Sequence, residues 1–387
     1  MRKTFRFKAI VNSETDARAS VLLQRCRELY NLALEQRRRA FLSQRNSPLP
    51  KDQKNKLPNY YDQAKQLTEL KQEFNEFRKI PAQAAQEVLE RVHKGYNLFF
   101  SGLKAGTRSG LPRFKGEDRY HSFTLKQSGW KLEGKHLVLS GIGTFKLRMS
   151  REIKGDIKTI TVSKKQGDWY VSFSCDNVPA VRPIGPAKQD IGLDLGITSF
   201  YADSEGNKVE NPRHLKKSAE KLAAAQRALA LKKRGSNNRK KCKRDLARKH
   251  RRVSDCRKDF HYKTALRLVR NFSTIVIEDL KIKNMTRNSK FSKGILDSGW
   301  GDFVNILCAK AEEAGRTVLK INPKNTSQKC SGCGDIVAKD ISVRVHKCAC
   351  GTVLDRDVNA AINILRLGQR LSESTPSREC SGRIPFL

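Results

Sequence analysis

Residues 190–203 read "DIGLDLGITSFYAD", and the way this stretch divides decides the architecture of the second half of the chain. It reads as a strand, a turn and a second strand. Side chains on a strand alternate between faces, so Leu193, Leu195 and Ile197 point one way and Gly192, Asp194 and Gly196 the other. An aspartate between two glycines has room at its carboxylate for a metal ion and a phosphate. Asp190 has the same parity but lies about 13 Å away at about 3.3 Å per residue. Asp194 is therefore the functional candidate on this strand.

Two further acidic stretches lie downstream. "STIVIEDL" (273–280) is a short β-branched run, read as a buried strand, ending in Glu278 and Asp279. Only one of these can share the face of a metal site, and the residue pattern leaves the choice open. "LDRDVNAAINIL" (354–365) sets Asp357 at the start of a helix with Val358, Ala361, Ile362 and Leu365 at inward spacing. A plain helix cap is the alternative reading of Asp357. Three acids on two strands and a helix are what two-metal phosphodiester hydrolysis requires, with shared carboxylates holding two Mg²⁺ ions.

Just before that helix come four clustered cysteines. Cys330 and Cys333 have C-x-x-C spacing, and Cys348 and Cys350 follow about 15 residues later; each pair is followed by glycine. Two such knuckles suit a tetrahedral zinc site. The second pair is C-x-C, so Cys330, Cys333 and Cys350 are the firmer ligands. Cys348 is the expected fourth, with His346 as the alternative.

The chain of 387 residues carries 78 lysines and arginines against 39 acids, a net charge of +39. A surplus of that size calls for a polyanion, and nucleic acid is the obvious one. Basic helices read over 214–270 concentrate it: residues 216–270 hold 21 Lys/Arg and four Asp/Glu. No apolar run is long enough to span a membrane, and the N-terminus lacks the apolar core of a signal peptide. Ten cysteines without a disulfide-like framework point to a reducing, cytoplasmic setting. Residues 14–47 and 60–103 read as helical, the latter broken at Pro81, and 120–178 as an antiparallel β unit. "NVPAVRPIGP" (177–186) reads as the linker between two halves, and the polar end of the chain as disordered.

"IGLDLGI", "IVIEDL", "NTSQKCSGCG" and "CGTVLDRDVNAAINIL", in this order and spacing, resemble the TnpB (OrfB-type) family of transposon-encoded proteins, as does "GLPRFKG". The likeness covers roughly residues 1–368. It implies a multidomain α+β chain: a wedge β-barrel with an inserted helical lobe over 1–180 (helical over about 14–105), an RNase H-like (RuvC) nuclease domain over 186–370, a zinc ribbon at 326–353, and an unmatched tail at 371–387. It further implies a Mg²⁺-dependent, RNA-guided endonuclease cutting double-stranded DNA beside a short motif, its guide RNA coming from the transposon end. On the family pattern the acids are Asp194, Glu278 and Asp357, and the zinc ligands Cys330, Cys333, Cys348 and Cys350. Lys79 and Gln83 are the implied contacts to the target-adjacent motif. The family usually has two C-x-x-C pairs and an aromatic where this chain has Asn325. Competing readings are a strand-transferring transposase and a guided repressor that binds without cutting.

Overall fold

The computed structural model describes residues 2–47, 57–107, 109–179, 187, 189–340 and 343–374. Most of the expected loop at 48–58, most of the linker and nearly all of the tail lie outside the described residues. Contacts divide the chain into two units, Met1–Pro179 and Ala180–Leu387.

The first unit opens with β1 (Lys3–Ile10), in which Phe5, Phe7 and Ala9 are buried on alternate positions. Four helices follow: α1 (Ser13–Asn46), α2 (Tyr60–Glu73), α3 (Asn75–Arg78) and α4 (Ala82–Lys104). The Asn12 side chain caps α1 by accepting from the Thr15 N–H at 2.8 Å. The helices are an insertion in a sheet, because β2 (Ser122–Leu125), β3 (Trp130–Glu133), β4 (His136–Leu139), β5 (Gly143–Arg148), β6 (Asp156–Lys165) and β7 (Asp168–Asp176) join β1 in the order β2-β6-β7-β1-β5-β4-β3. All its pairings are antiparallel. Sheet and helices share one core, in which Phe7, Phe145 and Phe173 are buried with Leu34, Val88 and Leu89.

The second unit is built on β8 (Ile191–Leu195), β9 (Ser199–Asp203), β10 (Lys208–Glu210), β11 (Thr274–Glu278) and β12 (Thr317–Ile321), in the order β10-β9-β8-β11-β12. The β8–β9 and β9–β10 pairs are antiparallel, whereas β11 runs parallel to both β8 and β12. A parallel neighbour needs a crossover, and here it is supplied by α5 (His214–Ala230) and α6 (Asn237–Asn271). The 35 residues of α6 reach about 50 Å at 1.5 Å per residue. Its C-terminal half buries His261, Ala265, Leu268 and Val269, and half of the residues in its N-terminal half are lysine or arginine, most of them exposed. Two short helices, α7 (Ile282–Met285) and α8 (Ser289–Ser298), precede α9 (Trp300–Glu313). After β12 come the cysteine segment, a small hairpin of β13 (Val345–Lys347) and β14 (Val353–Asp355), and α10 (Arg356–Ser374).

The two faces of this second sheet have different covers. Ile191, Leu193, Ile275 and Ile277 pack with α6 and α9 residues such as Leu268, Phe303 and Leu307. Val276, Leu319 and Ile321 face the other way, against Ile364 of α10. Gly192 lies under α10, where a Cβ would run into the Ala361 carbonyl. Its lack of a side chain therefore admits the helix backbone to the sheet, and does not keep space for a phosphate as the sequence suggests. The buried side of α10 also differs from expectation. Of Val358, Ala361, Ile362 and Leu365, only Ala361 is fully buried; Asn359, Ala360, Asn363 and Ile364 are buried with it.

Candidate active site

The sheet register brings two of the candidate acids together. Ile191, Gly192 and Leu193 of β8 pair with Ile275, Val276 and Ile277 of β11. One further step sets Glu278 beside Asp194. Val276 is on the α10 side of the sheet, and Glu278, two residues on, shares that side. Asp279 has the opposite parity. Its side chain is half exposed and accepts from Lys281 at 2.6 Å. Parity thus separates two residues that the sequence alone leaves equivalent. Asp190 stands outside the group, accepting from the Ser273 hydroxyl at 2.9 Å.

Burial, then the neighbouring charges of Glu278 and Asp357, hold the Asp194 carboxyl well above the ordinary carboxylate range. Burial also raises Glu278, opposed by the Thr326 hydroxyl, which donates to Glu278 Oε1 at 2.5 Å.

The role of helix cap falls to Asp355, not Asp357. Its Oδ1 accepts from the Asp357 and Val358 N–H groups at 2.9 and 3.3 Å, and its other oxygen pairs with Lys208 at 2.7 Å. Asp357 is left free of cap duty in the first turn of α10. Its side chain is 20% exposed, 4.0 Å from Arg344. Asp194 therefore feels acids from β11 and α10 at once. These acids do not form a cluster as tight as that of the cysteines among the described residues.

The four cysteine sulfurs all lie within 4.8 Å of one another. Cys330 is 3.7 Å from Cys350, and Cys333 is 3.5 Å from Cys348. A tetrahedron with 2.3 Å metal–sulfur bonds has edges of about 3.8 Å, so the spacing fits Zn²⁺. Although burial opposes ionisation of Cys330, the N–H groups of Cys333 and Gly332 and the His346 side chain hold its thiol down to about 5. His346 is fully buried with its Nδ1 against Lys339, and it is not one of the four residues whose ligand atoms form this cluster.

A polar network missed by the sequence reading joins the cysteine turn to the acids. Asn359 Oδ1 accepts from the Ser331 N–H at 2.9 Å, and its Nδ2 donates to the Lys329 carbonyl at 2.8 Å. Asn363 Nδ2 donates to the Lys329 carbonyl at 2.7 Å and to that of Thr326 at 3.0 Å. Asn325 has φ 63°, a left-handed conformation that asparagine tolerates. In the first unit, Gln83 Oε1 accepts from the N–H groups of Lys126 and Gln127 at 2.8 and 3.0 Å, and its Nε2 donates to Ser128 at 2.8 Å. That side chain is engaged in holding a loop.

Residues 172–289 match a family model described as "Probable transposase", and residues 300–364 match one described as "Cas12f1-like, TNB domain". A Streptomyces pristinaespiralis protein named "Putative RNA-guided DNA endonuclease" is 32% identical over 98% of this chain and 94% of its own length. An Escherichia coli K12 protein, "Putative RNA-guided DNA endonuclease InsQ", is also 32% identical, over 74% of this chain and 75% of that one. "CRISPR-associated endodeoxyribonuclease Cas12f1" from Sulfoacidibacillus thermotolerans is 29% identical over 59% of this chain and 57% of its own. Among solved structures, "the mini-RNA-guided endonuclease CRISPR-Cas_phi3" shares the fold, with a TM-score of 0.50 at 10% identity, over 95% of this chain and 92% of that one.

Proposed function

The chain belongs to the TnpB (OrfB-type) family of RNA-guided DNA endonucleases, and from that premise we propose that it cuts double-stranded DNA beside a short target-adjacent motif, guided by an RNA from the end of its own transposon. The observation that supports this reading is that Asp194 and Glu278 lie on adjacent parallel strands and that Asp194 feels the charges of both Glu278 and Asp357, the latter from the helix laid across them. The antiparallel-then-parallel order β10-β9-β8-β11-β12, with helices on both faces, supports an RNase H-like (RuvC) assignment for the second unit. The helical insertion between β1 and β2 supports the wedge and recognition-lobe reading of the first.

Asp194, Glu278 and Asp357 are the residues that would hold Mg²⁺, in a two-ion site. Bound there, the ions would activate the attacking water and stabilise the leaving oxygen. The chain itself supplies preorganised carboxylates. Strand register fixes Asp194 and Glu278, and the Asp355 cap fixes the start of α10 and so the position of Asp357. The four cysteines would hold one structural Zn²⁺. The exposed cations of α5 and α6 would track RNA phosphates, while base pairing reads sequence. The setting is the cytoplasm.

Guide exchange tests the reading. The protein should co-purify with one structured RNA, and changing that RNA's pairing segment should move the cut to the new match. A cut that stays put, or a random sample of transcripts as the bound RNA, would overturn it. Products joined to a new DNA end would favour strand transfer.

A further inference from the structure

The Thr326 hydroxyl reaches the carboxylate of Glu278 across 48 residues of sequence. It is a built contact. Thr326 is 4% exposed and Glu278 9%. The hydroxyl oxygen lies 2.5 Å from Glu278 Oε1 and 3.1 Å from the Pro323 carbonyl, so of the two acceptors open to its single proton the carboxylate is the nearer. The Thr326 backbone is fixed separately, since its carbonyl accepts from Asn363 on α10 at 3.0 Å. Asn363 and Asn359 grip the Lys329 carbonyl, one residue before Cys330. Thr326 is thus tethered at two points: its hydroxyl within its own loop, and its backbone by the helix that carries Asp357.

We propose that Thr326 is a positioning residue for Glu278, fixing the carboxylate through Oε1 so that Oε2 is presented to the divalent ion shared with Asp194 and Asp357. This rests on the nuclease reading of the acids. A glutamate has three side-chain torsions, and burial alone does not select among its rotamers. A hydrogen bond to one oxygen selects the orientation and leaves the other oxygen's lone pairs unused. Outer-shell partners of metal ligands are worth about 10- to 100-fold in metal affinity or activity. The same contact brings the segment leading into the cysteines to Glu278, the last residue of β11. It provides a donor to the acid at a depth where water would not hold it in one orientation.

The test uses the full chain with its co-purified RNA and two variants. Thr326→Val keeps shape and the backbone tether to Asn363 but removes the hydroxyl. Thr326→Ser restores it. Mn²⁺ binding is measured by electron paramagnetic resonance, taking as signal the excess over a doubly substituted Asp194→Ala, Asp357→Ala protein, which cancels Mn²⁺ held by RNA. Cutting is measured in parallel against Mg²⁺ concentration. Thr326→Val should weaken the excess Mn²⁺ binding about 10-fold or more and raise the Mg²⁺ needed for half-maximal cutting by a similar factor, with zinc content unchanged. Thr326→Ser should stay within about two-fold of the parent on both measures. A merely structural threonine would give loss of zinc or of thermal midpoint without a shift in Mg²⁺ dependence. Equal Mn²⁺ affinity in the valine variant and the parent would overturn the proposal, as would a serine variant as impaired as the valine. Should the parent bind Mn²⁺ at the acids and cut no DNA, the nuclease reading fails, while Mn²⁺ affinity still decides the role of Thr326.

Discussion

Among the proposed metal ligands, Asp194 is the one most strongly shaped by its surroundings. Its carboxyl is raised by burial and by the charges of Glu278 and Asp357. An acid raised in the folded state binds its proton more tightly there than in the unfolded chain. Its contribution to stability is therefore full below the ordinary value of 3.8 and is lost as pH rises through the raised value. Metal-free protein should melt at lower temperature as pH climbs through that window, and Mg²⁺ should restore more at high pH than at low. Melting curves with and without Mg²⁺ at several pH values check this, with Asp194→Asn expected to flatten the dependence. A Mg²⁺ effect of equal size at every pH would contradict it. Replacing Asp279 or Asp190 should leave cutting within a few-fold of the parent, since each is paired elsewhere.

The elements explain why these residues meet, and how far that was visible beforehand. Alternation along "DIGLDLGI" is a local property, so Asp194 and its strand were legible in the sequence. The choice of Glu278 over Asp279 depends on which face α10 covers, and that emerges only when Val276 is seen against Ile364. The sequence offers Asp357 as a plain cap; the N–H groups of Asp357 and Val358 give that role to Asp355 instead. The asparagines at 359 and 363 look like a polar helix face, yet they are buried because their partners are carbonyls of a distant loop. Gly192 read as an opening for ligand, where it is a contact point for α10. Gly192→Ala should accordingly cost about 1–3 kcal/mol, the usual range for overpacking, read from the denaturant midpoint. Cys330→Ser should shed zinc and lower the melting temperature, because a structural site contributes to folding. Metal analysis finding no zinc in the parent would refute the site.

At the scale of the whole molecule, +39 charges have to be reconciled with compact units. Among the described residues no helix is long and apolar enough to cross a membrane, and the cations of α5 and α6 are largely exposed. Neutralisation by RNA would reconcile the charge with that exposure, and predicts affinity that falls steeply with salt. Charge alone serves a binder as well as a nuclease, so the acids must separate the two. The most direct measurement compares cutting and guided binding on one target plasmid for the parent and for Asp194→Ala, Glu278→Ala and Asp357→Ala. The account predicts that each variant loses cutting by about 100- to 1,000-fold, the scale set by removing one preorganised charge-stabilising group, while motif-dependent binding stays nearly intact. Undiminished cutting by Asp357→Ala would contradict it.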